Sequence, residues 1–408
     1  MRKSVVEGAA IDSGPWDFVV PPAIRFGAGR VAEVGEAAAL LGKRVWLVGG
    51  RRSLASAPHR DFVEASLARA GLTAEIVAVT AGEPTVDDVA AALATLPPGR
   101  DGVVVVAVGG GSAIDLAKAL AALATNLPVG LGAADYDPLI VDRLEGVGRG
   151  IPIELAPLPL VAVPTTAGTG AEATRNAVIS CPVRRFKKSL RSPLMVPRAV
   201  IVDPDLTAGC DRATVAAAGL DCITQLVESF ICRIRRPLPR ALVLEALPRA
   251  VRALPRVLAD PSDRAAQSAM SHGALLSGMA LTNSGLGMAH GVAAALGIEC
   301  GTPHGLACGL MLPVALEVNA AVAAADYALL ERAIDPAASA VDAIAAAAFV
   351  ARIEALCGVA GLPRRLSEVG LSQERIGWLA ENSGGASLRG NPVELDPVTL
   401  VGILTRIW

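Results

Sequence analysis

Four histidines occur in 408 residues, and three of them, His272, His290 and His304, fall in the second half of the chain. His290 and His304 each sit beside small residues, in GLGMAH (285–290) and TPHG (302–305), which leaves room for a ligand at the imidazole. Upstream, Asp221 and Gln225 are spaced i, i+4, so both side chains emerge from one face of a helix. One aspartate and two histidines make a usable nitrogen and oxygen donor set for Zn(II) or Fe(II), with positions left for water or substrate. The competing reading of an isolated histidine is a core or surface group with an ordinary partner.

A second chemistry is written in VGGGSAID (108–115), which lies between an apolar Val/Ala run and a helical stretch. Glycines there let the backbone approach a ligand, and the N–H groups at a helix start carry partial positive charge, a geometry suited to a pyrophosphate. Gly110, Gly111 and Ser112 are the candidates, with Asp115 behind them. PTTAGTGAE (164–172) again follows a strand-like run and is expected to open a helix, offering Thr165, Thr166, Gly168 and Thr169. Two such turns from one sheet converge at the carboxyl ends of its strands, where such folds bind ligands. Either turn alone reads equally well as a plain strand-to-helix connection.

Only five of the 37 cations are lysine: Lys3, Lys43, Lys118, Lys187 and Lys188. Lys118 stands at i+3 from Asp115, the spacing of an ordinary helix-surface ion pair. Lys187 and Lys188 belong to a basic cluster with Arg184, Arg185 and Arg191, which is either a solvated face or brings one lysine to a nucleotide.

These residues need elements to position them. In the first half, helical stretches at 29–41, 62–70, 85–96 and 112–124 alternate with apolar runs at 45–48, 74–79, 102–108 and 158–163. Strands alternating with helices indicate βαβ units, and strands apolar on both sides indicate a parallel sheet covered on both faces. The connection 126–157, containing Tyr136, reads as a long surface segment or a cover over a site. From Leu206 onward the chain is alanine- and leucine-rich with few Val/Ile clusters, and residues 337–350 read as a buried helix. The expected organisation is an α/β dinucleotide-binding domain over 1–205 and an all-helical domain over 206–408, Thr207 capping the next helix.

Composition narrows the class. The chain is 52% hydrophobic and 19% charged with mean hydropathy +0.49, ample for sizeable cores and incompatible with disorder. Thirty-seven cations against 39 anions leave no basic domain for nucleic acid. No run of eighteen residues lacks charges, Gly-Pro breaks or polar turns, so no membrane span is expected. Residues 1–7 carry no apolar leader core, and seven cysteines without a CxxC pair fit a reducing cytoplasm, against disulfides and against a cysteine-type zinc site.

Taken together, FGAGR (26–30), GEPT (82–85), GGGSAIDLAK (109–118), PTTAGTGAE (164–172), IVDPDLT (201–207), AGLDCITQ (218–225), GLGMAH (285–290) and TPHG (302–305) make the chain resemble the iron-dependent, group III alcohol dehydrogenases. The motifs occur in the family's order over nearly the whole chain. The resemblance implies a dehydroquinate synthase-like fold, with a divalent metal, Fe(II) or Zn(II), in the cleft between an α/β domain and a helical one. It implies NADP or NAD as hydride carrier, an alcohol or aldehyde as substrate, and a homodimer. Asp221, His290 and His304 are then the catalytic metal ligands, and Lys187 or Lys188 contacts the nucleotide.

Three positions depart from the family's pattern. Iron-type members usually have histidine where this chain has Gln225, a weak neutral donor that is a doubtful ligand. Related zinc-dependent glycerol dehydrogenases manage with one aspartate, two histidines and water. A further histidine, credited with proton transfer, is Ala294 here. NAD-preferring relatives tend to place an aspartate where Gly50 stands, and Gly50 followed by Arg51 and Arg52 favours NADP.

Two rival functions stay open at this point. A dehydroquinate synthase-like lyase, using NAD transiently, would need cations for a phosphorylated substrate; Arg233, Arg235, Arg236 and Arg240 are candidates, though they read more simply as a solvated turn around Pro237. A nucleotide-binding protein with weakened catalysis would explain Gln225 and Ala294. Leu281 and Asn283 are placed at the substrate pocket, which the scarcity of aromatics, 3% of residues, makes aliphatic.

Overall fold

The computed structural model describes residues 14–55 and 59–408, so the reading of residues 1–7 lies outside the described residues. The chain forms two compact units, Val19–Cys210 and Asp211–Trp408, the second taking in residues 14–18.

Val19–Cys210 carries β1 (Ile24–Phe26), β2 (Arg44–Gly50), β3 (Thr73–Thr80), β4 (Val103–Gly109), β5 (Leu160–Pro164), β6 (Asn176–Cys181), β7 (Phe186–Arg191) and β8 (Ala199–Val202). Its helices are α1 (Val34–Ala39), α2 (Arg51–Ala55), α3 (His59–Arg69), α4 (Val86–Thr95), α5 (Gly111–Asn126) and α6 (Ala133–Val141). Six strands form one all-parallel sheet in the order β1-β8-β5-β4-β2-β3, while β6 and β7 make a separate antiparallel hairpin. Every residue of β4 is buried, as expected of a Val-rich strand covered on both faces. Val104, Val106 and Val108 pack on one side with Val45, Leu47, Val161 and Val163, and α5 packs against β4, β2 and β5.

Four expectations for this unit are corrected. The connection 126–157 is not loop throughout: it runs largely exposed but contains a helix, α6, in which Tyr136 is buried and donates its hydroxyl to Pro128 O at 2.8 Å. The turn after β5 opens no α-helix, only a single 3-10 turn at Ala171–Ala173 entered through Gly170 in the left-handed region. Lys118 is no surface partner of Asp115: it is 1% exposed and its ammonium reaches Ala171 O, Thr174 Oγ1 at 2.6 Å and Asn176 O at 3.1 Å. Thr207 ends a 3-10 turn and donates to Pro204 O; the next helix is capped by Asp211, which accepts from Thr214 N at 2.8 Å.

Asp211–Trp408 is all-helical: α7 (Arg212–Ile231), α8 (Pro237–Ala259), α9 (Arg264–Asn283), α10 (Met288–Cys300), α11 (His304–Ile334), α12 (Asp342–Ala360), α13 (Ile376–Asn382), α14 (Ala386–Arg389) and α15 (Pro397–Arg406). Helix α7 packs against α8, α9 and α11, and alanines and glycines permit close approach. At Gly305 a Cβ would lie 2.4 Å from Ala217 O, so only glycine lets the start of α11 rest on α7. The expected buried helix at 337–350 begins only at Asp342 and is buried along one face, with Ile344 exposed. Helices α7, α11 and α12 are long and apolar enough, by length and composition, to cross a membrane, unlike the expectation; their windows are 78%, 61% and 39% buried in the protein. The sequence reading ended each apolar run at its first charge or turn residue, whereas these helices carry such residues in mid-length.

The arginines at 233–240 fit the expected solvated turn only at exposed Arg233; Arg235, Arg236 and Arg240 turn to partners within the protein. Arg235 and Arg240 converge on the buried carboxylate of Asp326, at 2.6 and 2.9 Å, because a buried charge needs charged partners. Arg236 donates to Asn283 O, and Arg233 to Asn391 O.

Glu172, in the 3-10 turn beside Lys118, yields a test of this packing. Burial lifts its carboxyl from an ordinary 4.5 to about 7. The native state therefore holds a proton that the unfolded state has released between those values, so stability is full below pH 4.5 and falls as pH rises through 7. Glu172→Gln is expected to flatten that fall by about 3 kcal/mol in denaturant unfolding at pH 5 and pH 8. Parallel pH profiles for the two proteins would contradict it.

Candidate metal centre and nucleotide turns

In the helical unit, Asp221 projects from the middle of α7, His290 from the first turn of α10, and His304 from the first residue of α11. One turn beyond His304 stands Cys308, which the sequence reading missed. One donor atom from each of the four lies within 4.8 Å of every other. Asp221 Oδ1 is 3.3 Å from His290 Nε2 and 4.0 Å from His304 Nε2, and Cys308 Sγ is 3.6 Å from His304 Nε2.

Glu228, two turns along α7 from Asp221, was also missed, and it organises the centre. Helix α10 starts at Gly287 without a side-chain cap of its own. The Glu228 carboxylate accepts instead from Gly287 N at 2.9 Å and Ala289 N at 2.7 Å, and Asn391 Oδ1 accepts from Met288 N at 3.1 Å. Asn391 is itself held by a reciprocal amide pair with Asn319, 2.9 Å each way. The same Glu228 carboxylate lies 2.7 Å from His290 Nδ1, so Nδ1–H donates to it and Nε2 is the ring nitrogen that faces Asp221.

The result is a buried concentration of acceptors. Neither carboxylate oxygen of Asp221 nor Nε2 of His290 has a hydrogen-bond partner, although Asp221 is 1% and His290 5% exposed. Burial alone would depress the His290 imidazole, but Cys308, Asp221 and Glu228 hold it well above its usual range. Burial would likewise raise Asp221, yet the two histidines bring it below the usual carboxylate range. Burial pushes the Cys308 thiol up to about 12. The site calls for positive charge, and its oxygen, nitrogen and sulfur donors fit Fe(II) or Zn(II).

Gln225 lies one turn from Asp221 and is buried, and its Oε1 accepts from Ser277 Oγ at 2.7 Å. Asn283 is buried and donates to Met279 O on its own helix, while Leu281 is half-buried. Ala294 lies inside α10.

In the α/β unit, β4 and β5 are neighbours with Gly109 opposite Pro164, so the two glycine-bearing turns begin side by side. Thr165 N donates to Gly109 O at 3.0 Å, and the Thr165 hydroxyl meets Ser53 Oγ at 3.1 Å. A Cβ on Gly111 would lie 2.6 Å from Thr169 Oγ1, so glycine there is what lets the turns touch. Gly110 is the N-cap of the sixteen-residue α5 and provides no side-chain cap, leaving the backbone N–H groups of Gly111 and Ser112 as donors at the positive end of the helix. Gly168 lies in the second turn between Thr166 and Thr169.

Asp115 does not join these donors; it accepts from Val178 N at 3.1 Å and ties the hairpin to α5. Lys187 and Lys188 alternate on β7, and Lys187 pairs with Glu83 at 2.7 Å. The rest of the basic cluster is braced rather than merely solvated: Arg184 pairs with Asp137, and Arg191 with Glu145 at 2.7 Å. Gly50 ends β2, followed by exposed Arg51 and Arg52 on α2.

Residues 21–204 match the family described as iron-containing alcohol dehydrogenase, and residues 215–408 match the C-terminal domain of the Fe-containing alcohol dehydrogenase family. The chain belongs to the iron-containing alcohol dehydrogenases. It is 31% identical over 389 residues to the probable alcohol dehydrogenase EutG of Escherichia coli, covering 95% of this chain and 93% of that one. It is 32% identical over 305 residues to the lactaldehyde reductase of the same organism, covering 74% and 76%. Among solved structures, a 1,3-propanediol oxidoreductase superposes with TM-score 0.86 at 28% identity, over 97% of this chain and 100% of the other. As a member of this family the protein is a metal-dependent oxidoreductase that transfers hydride between NAD(P) and a small alcohol or aldehyde, with the expected α/β and helical architecture. The lyase and catalytically weakened readings give way to that assignment.

Glu228→Gln is expected to replace acceptors by a donor amide against backbone N–H groups and to cost about 2–4 kcal/mol in denaturant unfolding. Zinc affinity should fall about 10- to 100-fold by titration. Wild-type stability together with wild-type affinity would contradict the role given to Glu228.

Proposed function

We propose that this oxidoreductase interconverts a small aliphatic alcohol and its aldehyde with NADP(H), and that Asp221, His290 and His304 hold its divalent metal. The observation that carries the reading is the approach of two buried ligand-type atoms, Asp221 Oδ1 and His290 Nε2, to 3.3 Å with no hydrogen bond formed between them. Bound Fe(II) or Zn(II) would supply Lewis acidity toward the substrate oxygen, favouring the alkoxide from which hydride departs.

The protein's own residues supply placement. Glu228 fixes the His290 tautomer, and Gly305 lets His304 approach Asp221. The N–H groups of Gly111 and Ser112, at the turn begun by Gly110, receive the cofactor's pyrophosphate, and Thr165, Thr166, Gly168 and Thr169 line the neighbouring turn. Lys187 or Lys188 contacts the nucleotide. Alanine at 294 offers no proton-transfer group, so the hydroxyl proton would leave by way of water. Leu281 and Asn283 contribute to an aliphatic pocket, and the relatives named lactaldehyde reductase and 1,3-propanediol oxidoreductase support a short substrate. Family resemblance supports a homodimer, and seven free cysteines support a reducing, cytoplasmic setting.

NADP preference rests on Gly50, Arg51 and Arg52. A Cβ at Gly50 would meet only Ser53 Oγ, at 3.5 Å, so an aspartate fits there. Gly50→Asp is expected to lower the ratio of kcat/KM for NADPH over NADH by about tenfold or more, through repulsion of the 2′-phosphate. Equal efficiency of the wild type with both cofactors would contradict the preference. His290→Ala and His304→Ala should each abolish turnover of metal-loaded protein; full activity in either would sink the ligand assignment.

A further inference from the structure

Cys308 is fully buried on the inner face of α11, one turn after His304. We propose that Cys308 is a fourth protein ligand of the metal, taking the place that Gln225 does not fill; this rests on the reading that Asp221, His290 and His304 hold a metal. Ligands around a tetrahedral zinc at 2.0–2.3 Å stand about 3.4 Å apart for nitrogen and oxygen and about 3.6 Å apart for nitrogen and sulfur. The observed separations are 3.3 Å for His290 Nε2 to Asp221 Oδ1 and 3.6 Å for Cys308 Sγ to His304 Nε2. Two of the six donor-to-donor edges thus already match, His304 Nε2 to Asp221 Oδ1 is 4.0 Å, and all four donors, from three helices, lie within 4.8 Å of one another.

The cysteine does not make the case alone. Both Asp221 oxygens and His290 Nε2 are buried without hydrogen-bond partners in the same cluster of donors. Gln225, on the same helix as Asp221, has its carbonyl oxygen engaged by Ser277. Sulfur binds as the thiolate, its proton passing to solvent as the metal enters. A soft donor in place of an amide oxygen biases the centre toward zinc and away from hard cations such as magnesium.

The test uses the full chain, stripped of metal and reloaded with Co(II) alone. Cobalt should bind with a sulfur-to-cobalt charge-transfer band in the near ultraviolet. That band should disappear in Cys308→Ser and Cys308→Ala, which keep six other cysteines and bind cobalt through three remaining donors. X-ray absorption of the zinc-loaded wild type should show one sulfur at about 2.3 Å, a readout independent of whether the variants fold. Stoichiometric cobalt without the band, a band that survives both substitutions, or a zinc shell of nitrogen and oxygen only would overturn the role of Cys308 while leaving the three-ligand centre standing. Failure to bind any cobalt would overturn both.

Discussion

The Glu228 carboxylate performs two tasks at once. It accepts backbone N–H groups that the first turn of α10 leaves without partners, and it accepts the proton of His290 Nδ1. Remove it and the helix start loses its acceptor while the imidazole loses its tautomer. With it in place, His290 Nε2 faces Asp221 Oδ1 at 3.3 Å inside a packed helical interior. Cys308, Asp221 and Glu228 hold that imidazole well above its usual range, so a proton joins the pair wherever no metal does. The buried, carboxylate-rich surroundings of His290 are what suit the centre to a divalent cation.

The α/β unit solves a different electrostatic problem by similar means. Its two turns leave adjoining strands β4 and β5, and the uncapped start of α5 presents N–H donors where an anionic group can sit. Close approach there depends on glycine, most plainly at Gly111 against Thr169. Behind the turns, buried Lys118 satisfies the carbonyls of Ala171 and Asn176, fixing the path of the second turn from within. A lysine spaced like a surface ion pair has become an internal brace.

Much of this was legible in the chain itself. Valine runs broken by glycine marked β4 and β5, and the clustered motifs identified the family and pointed to Asp221, His290 and His304, which the fold brings together. What stayed hidden shares one physical character: it depends on partners distant in sequence. Glu228 reads as an ordinary helix residue until α10 is seen to start against it. Cys308 lacks any CxxC spacing; its i, i+4 spacing from His304 was the local signal, and the fold of α11 onto α7 sets both beside Asp221. Arg235 and Arg240 look like a solvated turn because their counter-charge, Asp326, is some ninety residues away in the chain. Tyr136 looked like a lid because nothing local announces that α6 turns it inward.

The most direct test of this account is the metal content of full-length protein purified anaerobically without chelator, normalised per chain. The account predicts about one equivalent of iron or zinc, since Asp221, His290 and His304 provide a charge-deficient, preorganised set of donors. Protein that remains empty after incubation with Fe(II) and with Zn(II) would contradict it, and would mean that the facing acceptors at His290 and Asp221 are relieved by a proton alone.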